Sequence, residues 1–205
     1  MDRFAVIVIG SSMGGVEALQ QIASGLRCDL PAAVLIVQHV GRIPSPLPEL
    51  LARSGPLPAI HAAQAERIRP GWIYVAPPDH HLIVAGGCTR LTRGPRENWA
   101  RPAIDLLFRS AARAYGRSVI GVILTGRLND GSAGLRAVRA AGGFAVVQDP
   151  ADAFCPDMPW NALRYAGADY RVPLARIPEL LGELADELAG TTQTTPSDQR
   201  RRAQP

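Results

Sequence analysis

The sequence contains no lysine: all 22 of its basic residues are arginine. That absence excludes a lysine nucleophile, a Schiff-base enzyme and a phosphate-binding loop of the lysine type, while leaving fixed positive charge available. Cysteine is scarce and odd in number, with Cys28, Cys88 and Cys155 far apart and no C-x-x-C spacing. A disulfide framework and a zinc site are therefore excluded, and reduced thiols in a cytoplasmic protein are expected. Long hydrophobic runs are missing as well. The first apolar run covers residues 4–9, against the roughly 20 needed to cross a bilayer, and it lacks the basic start and cleavage site of a signal peptide. No basic stripe with interleaved aromatics is present, so nucleic acid is not expected as a partner. The formal charge of +4 includes a net +2 from Asp198, Arg200, Arg201 and Arg202 near the C-terminus.

What is present is the composition of an ordinary globule, 47% hydrophobic and 20% charged over 205 residues, enough for one well-packed domain. The runs FAVIVI (4–9), AVLIV (33–37), VIGVIL (119–124) and FAVVQ (144–148) read as strands buried on both faces. Between them, Val16, Leu19, Ile22, Ala23 and Leu26 recur at helical spacing, as do Ile104, Leu107, Phe108, Ala111, Ala112 and Tyr115. Alternation of this kind predicts an α/β fold, doubly wound on a mostly parallel sheet. Residues 71–93 break the rhythm with short β-like runs between Pro77-Pro78-Asp79 and Gly86-Gly87, which predicts an antiparallel excursion at one edge. A last helix is expected near 176–189. The polar residues 190–205 are expected to be a disordered tail, leaving 1–189 as a single domain.

The stretch FAVIVIGSSMGGVEAL (4–19) runs from strand through a glycine-rich turn into a helix. As a dinucleotide fingerprint it fails, because Ser12 stands where the second glycine should be. As G-x-S-x-G it fits directly: Gly10-Ser11-Ser12-Met13-Gly14 would lift the Ser12 hydroxyl out of the sheet and aim the next N–H at a developing oxyanion. The bland alternative is that Ser11 and Ser12 merely cap the helix.

A serine nucleophile needs a base, and the base needs an orienting group. His39 follows the second strand at the edge where Ser12 lies, whereas His61 falls in an irregular segment and the adjacent His80 and His81 would point to opposite faces. For the acid, Asp130 follows the third strand at that same edge, with Asp79, Asp152 and Asp157 as rivals. Ser12, His39 and Asp130 thus come from three strand ends in an order unlike that of the α/β-hydrolases. Arg93, Arg96 and Arg101 in RGPRENWAR would lie near the mouth, where acidic partners would be attracted, unless they form only a solvated loop.

Several separated motifs, in order, carry a family likeness: IGSSMGGVEAL, VQH, ERIRPGWIYVAPPDHHL, RPAIDLLF, VILTGRLNDGSAG, VVQDP and MPWNAL. From about Phe4 to Leu188 the chain resembles the catalytic domain of the chemoreceptor protein-glutamate methylesterases of bacterial chemotaxis, the CheB type. The resemblance implies a cofactor-free serine hydrolase that removes methyl groups from glutamate side chains of the chemoreceptor cytoplasmic domain and, in some members, deamidates glutamine. It puts the nucleophile on Ser12, the base on His39, the acid on Asp130, and the oxyanion donors on the backbone of Met13 and Arg127; Arg96 and Arg101 are candidates for substrate binding.

The chain departs from the family pattern where it reads Ser12-Met13-Gly14-Gly15 in place of S-T-G-G, and Gly126-Arg127-Leu128-Asn129-Asp130-Gly131 in place of G-M-G-x-D-G. With the first strand at residue 4, no regulatory receiver domain is expected, which leaves a separate receiver or kinase protein as a further partner. An esterase for another substrate and a non-catalytic signalling module on the same fold are the competing readings; a nucleotide-dependent oxidoreductase is more distant.

Overall fold

The computed structural model describes residues 4–39 and 45–190. The expected disordered tail falls outside these residues, Gly190 excepted. Seven parallel strands form the central sheet: β1 (Ala5–Ser11), β2 (Ala32–Gln38), β3 (Ala59–His61), β4 (Ile73–Val75), β7 (Val119–Ile123), β8 (Phe144–Gln148) and β9 (Tyr170–Val172), in the order β3-β4-β2-β1-β7-β8-β9. Strands β5 (His81–Ala85) and β6 (Cys88–Thr92) pair antiparallel as a sheet of their own. The helices are α1 (Gly15–Gly25), α2 (Leu47–Ser54), α3 (Ile104–Tyr115), α4 (Ser132–Ala140), α5 (Asp157–Tyr165) and α6 (Ile177–Gly190).

Every residue of β1, β2 and β7 is buried, which is why these segments read as unbroken apolar runs. Their alternation is a matter of which layer each residue meets. Ile7 and Ile9 face the layer of α1 and α6 with Leu19, Ile22 and Leu181, while Val6 and Val8 face that of α3, α4 and α5 with Phe108, Leu135 and Met158. Winding reverses at β1, whose neighbours are β2 on one side and β7 on the other. The crevice beyond the carboxyl ends of such strands is where α/β sheets place their sites. Ser12, His39 and residues 125–130 all leave the sheet there.

The four long strands and the three helical patterns stand where the sequence puts them. The antiparallel excursion is narrower than residues 71–93, because Ile73–Val75 joins the parallel sheet between β2 and β3. The hairpin that remains packs against α3, with the Val84 N–H donating to the Ser110 hydroxyl of that helix. His61 lies on the edge strand β3, not in an irregular segment. Among the described residues, no helix is long and apolar enough to cross a membrane.

Candidate functional site

Ser12 is the first residue beyond β1. Its N–H donates to the Thr125 carbonyl (3.0 Å) and its carbonyl accepts from the Gly15 N–H (2.9 Å), closing a tight turn into α1. Two glycines permit the geometry. Gly14 has a left-handed backbone (φ 75°) and presses on Phe154, and a Cβ on Gly126 would lie 2.7 Å from that of Ser12, so the loop after β7 passes directly against it.

The two serines part company here. Ser11 is fully buried; its hydroxyl donates to Gln38 Oε1 (2.6 Å), and Gln38 Nε2 donates to the carbonyls of Ser12 (2.8 Å) and His39 (3.1 Å). Ser11 is thus a brace that ties the end of β1 to the end of β2. Neither serine caps α1, whose N-cap is Gly14 without a side-chain hydrogen bond. The Ser12 hydroxyl instead lies 3.2 Å from His39 Nδ1, and His39 Nε2 lies 2.8 Å from Asp130 Oδ2. With Asp130 ionised, Nε2 carries the proton and Nδ1 presents its lone pair to the serine.

Asp130 is the most heavily coordinated group of the site. Its Oδ2 also accepts from the Ile104 N–H (2.7 Å), and its Oδ1 accepts from Asn98 Nδ2 (2.8 Å) and the Asp105 N–H (3.2 Å). Burial pushes this carboxyl up, but the hydrogen bonds from His39, Ile104 and Asn98 together with the His39 charge outweigh it, and the group is held below the ordinary carboxylate range. It remains an acceptor at neutral pH.

Two residues of this network escape a search for nucleophile, base and acid. Asn98 Nδ2 donates to both Asp130 Oδ1 and Asp105 Oδ2, each at 2.8 Å. Asp105, buried in the first turn of α3, also accepts from the Gly134 N–H (2.6 Å) at the start of α4. Burial and then the Asp130 charge raise the Asp105 pKa, against the hydrogen bonds from Gly134 and Asn98 and the Arg109 cation. The available signal was the RPAIDLLF motif, where an aspartate interrupts an otherwise apolar helix face.

The rival acids have other tasks. Asp79 pairs with Arg101 (2.7 Å), Asp152 accepts from Gln148 and the Leu174 N–H, and Asp157 opens α5. His80 and His81 are both held by backbone carbonyls, of Pro78 and Pro95 respectively. Among the arginines read as mouth residues, Arg101 is already engaged: besides Asp79 it donates to the carbonyls of Arg93 (3.1 Å) and Gly94 (2.9 Å), stapling the loop rather than presenting a free cation. Arg93 donates to His80. Arg96 donates to the Trp99 carbonyl and lines the cleft.

The cleft itself has a volume of about 250 Å³ and is lined by Ser12, His39, Asn98, Trp99, Arg127 and Leu128 among others. Neither the Met13 nor the Arg127 N–H donates to the backbone of another described residue; Met13 directly follows Ser12, and Arg127 lines the same cleft. A hydroxyl, a base, a buried carboxylate and spare N–H donors are the parts an acyl-transfer site requires.

A family profile described as CheB methylesterase matches residues 7–181. The chain belongs to the CheB methylesterase family. The crystal structure of the Thermotoga maritima CheB methylesterase catalytic domain superposes with a TM-score of 0.83 at 34% identity, covering 89% of this chain and 99% of that one. A Geobacter metallireducens protein named protein-glutamate methylesterase/protein-glutamine glutaminase 4 is 40% identical over 90% of this chain, which spans 54% of that relative's length. A Leptospira interrogans chain, provisionally given the same two activities, is 38% identical over 87% of this chain and 93% of its own. Membership agrees with the fold, the antiparallel hairpin included, and with the motif order read from the sequence.

Proposed function

We propose that the chain is a serine hydrolase that demethylates glutamate methyl esters on the cytoplasmic helices of chemoreceptors, releasing methanol, and that the same site deamidates glutamine. The observation that carries this reading is the continuous hydrogen-bonded series Ser12–His39–Asp130 at 3.2 and 2.8 Å. In the proposed reaction His39 Nδ1 takes the Ser12 proton as Oγ attacks the ester carbonyl carbon. The Met13 and Arg127 N–H groups receive the oxyanion, and the imidazolium returns its proton to the departing methoxide. Water, deprotonated by His39, then cleaves the acyl-enzyme and restores Ser12. Asp130 fixes the tautomer and stabilises the imidazolium. No step calls for a cofactor or a metal. The reading sets the catalytic domain to work in the cytoplasm, without nucleic acid or membrane insertion, and with a receiver or kinase protein as a regulatory partner.

An ester on another protein is the second reading, favoured by Arg127 and Leu128 at the cleft. A non-catalytic module has less support, because nothing in such a module requires a carboxylate aligned on a histidine that is aligned on a serine. The test is methanol release from methylated receptor cytoplasmic fragments. Ser12→Ala should lower kcat by about 10⁴-fold or more with the fold retained; equal rates for the two proteins would end the triad assignment.

A further inference from the structure

Among the described residues, four of the six large apolar side chains that are exposed, Met13, Trp99, Leu128 and Phe154, gather at the Ser12 turn and cleft, the other two being Trp160 and Tyr165 of α5. Trp99 is 89% exposed, Phe154 77% and Leu128 60%. Trp99 and Leu128 both line the Ser12 cleft, Met13 follows Ser12 directly and is itself exposed, and Phe154 sits against Gly14 of the same turn. Solvent-facing apolar groups gathered at one place mark a surface that another molecule covers.

The backbone holds the two cleft residues outward. Trp99 and Leu128 both have left-handed backbones, φ 63° and 66°, a conformation that disfavours bulky side chains and persists where its surroundings impose it. For Trp99 the surroundings are explicit. Asn98, also left-handed at φ 49°, is pinned to Asp105 and Asp130, Glu97 is paired with Arg109 of α3 (2.6 Å), and Arg101 is stapled to Asp79 (2.7 Å). A mobile surface loop needs no such set of anchors; a loop that must present one indole in one place does.

Size and charge narrow the occupant. About 250 Å³ admits an ester side chain but not the polypeptide that bears it, so the bearer must lie across the rim. Arg96 and Arg127 line that rim, and neither forms an ion pair with a described residue. The acid that lines the cleft, Asp130, is buried and committed to hydrogen bonds. The rim is therefore apolar and cationic. On a helix, residues three and four positions from a glutamate share its face, which places them over the rim when the ester enters the cleft.

We infer that Trp99 and Leu128, flanked by Arg96 and Arg127, form a docking rim for an acidic amphipathic helix, gripping apolar residues three and four positions from the esterified glutamate. This rests on the esterase reading above but is tested apart from it. In the Ser12→Ala background, which binds without turnover, the affinity of a fluorescein-labelled acidic amphipathic helical fragment carrying one glutamate γ-methyl ester is measured by anisotropy. Trp99→Ala should weaken binding about tenfold or more and Leu128→Ala severalfold, as for central aromatic and rim positions of an interface. Trp99→Phe should stay within about threefold of the parent, because it keeps most of the aromatic contact. A helix with polar residues at the flanking positions should bind the parent as weakly as the apolar helix binds Trp99→Ala. Undiminished affinity in Trp99→Ala, or no binding by the parent, would overturn the rim. Methanol release from the same fragment by the unsubstituted enzyme is scored separately and judges the esterase reading alone.

Discussion

At the scale of single residues, Ser11 and Ser12 are adjacent and chemically identical, yet their surroundings give them opposite tasks. Ser11→Ala leaves Gln38 Oε1 buried without its donor and should lower stability by about 1–3 kcal/mol in denaturant unfolding, while esterase turnover persists. Ser12→Ala should do the reverse. Asn98 acts through Asp130, so Asn98→Ala should reduce kcat by about tenfold, the scale of a hydrogen bond to a charged group, with a smaller change in KM for a small ester. Its pH profile should shift as well, since Asp130 loses a donor that favours its charged form. A purely structural Asn98 would lower stability and leave that profile in place. The hydrogen-bonded series Ser12–His39–Asp130 was legible because each member follows a strand of strongly apolar sequence. Asn98 was not, because its two partners lie 7 and 32 residues away and only the folded loop brings them together.

At the scale of elements, the long buried strands and the helices with a clear apolar stripe could be read directly. The three-residue strands β3, β4 and β9 could not, since three residues show no period and their pairing is decided by neighbours distant in sequence. The loop between β6 and α3 shows the same limit for charge. Arg93, Arg96 and Arg101 look alike as a basic run, but only the fold reveals that Arg101 is occupied by Asp79 and two carbonyls. Arg101→Ala should therefore act by loosening the loop: amide hydrogen exchange over residues 93–101 should accelerate, and turnover of helical and small substrates should fall together. A direct contact with substrate predicts instead a loss confined to the helical one.

At the scale of the whole molecule, two neighbouring buried carboxyls respond to pH with opposite signs. Asp130 is held below its ordinary pKa, so its stabilising contribution is present above the unfolded carboxylate pKa and fades as pH falls through the folded value. Asp105 is raised, so the folded state keeps a proton that the unfolded state has lost, and stability declines as pH climbs from the unfolded value through the folded one. Denaturant midpoints should accordingly fall on the acid side of the carboxylate range because of Asp130, with a second, opposing limb above it. Asp105→Asn should abolish that upper limb, whatever it does to the absolute midpoint; persistence of the limb in the variant would assign it to another group.

The three strands that deliver Ser12, His39 and Asp130 are β1 and its two immediate neighbours, at the centre of the sheet, whereas the loop bearing Trp99 is tethered from outside it. Central strands are the last part of such a sheet to open, and a loop outside it, held by side-chain anchors rather than by the strand ladder, opens at lower cost. Partial unfolding in mild denaturant should consequently separate two capacities that coincide in the native enzyme. Cleavage of a small soluble ester should slow as Asn98 leaves Asp130 yet persist until the cooperative transition, whereas discrimination in favour of a helical substrate should be lost before it. The molecule would pass through a state that still catalyses but no longer selects.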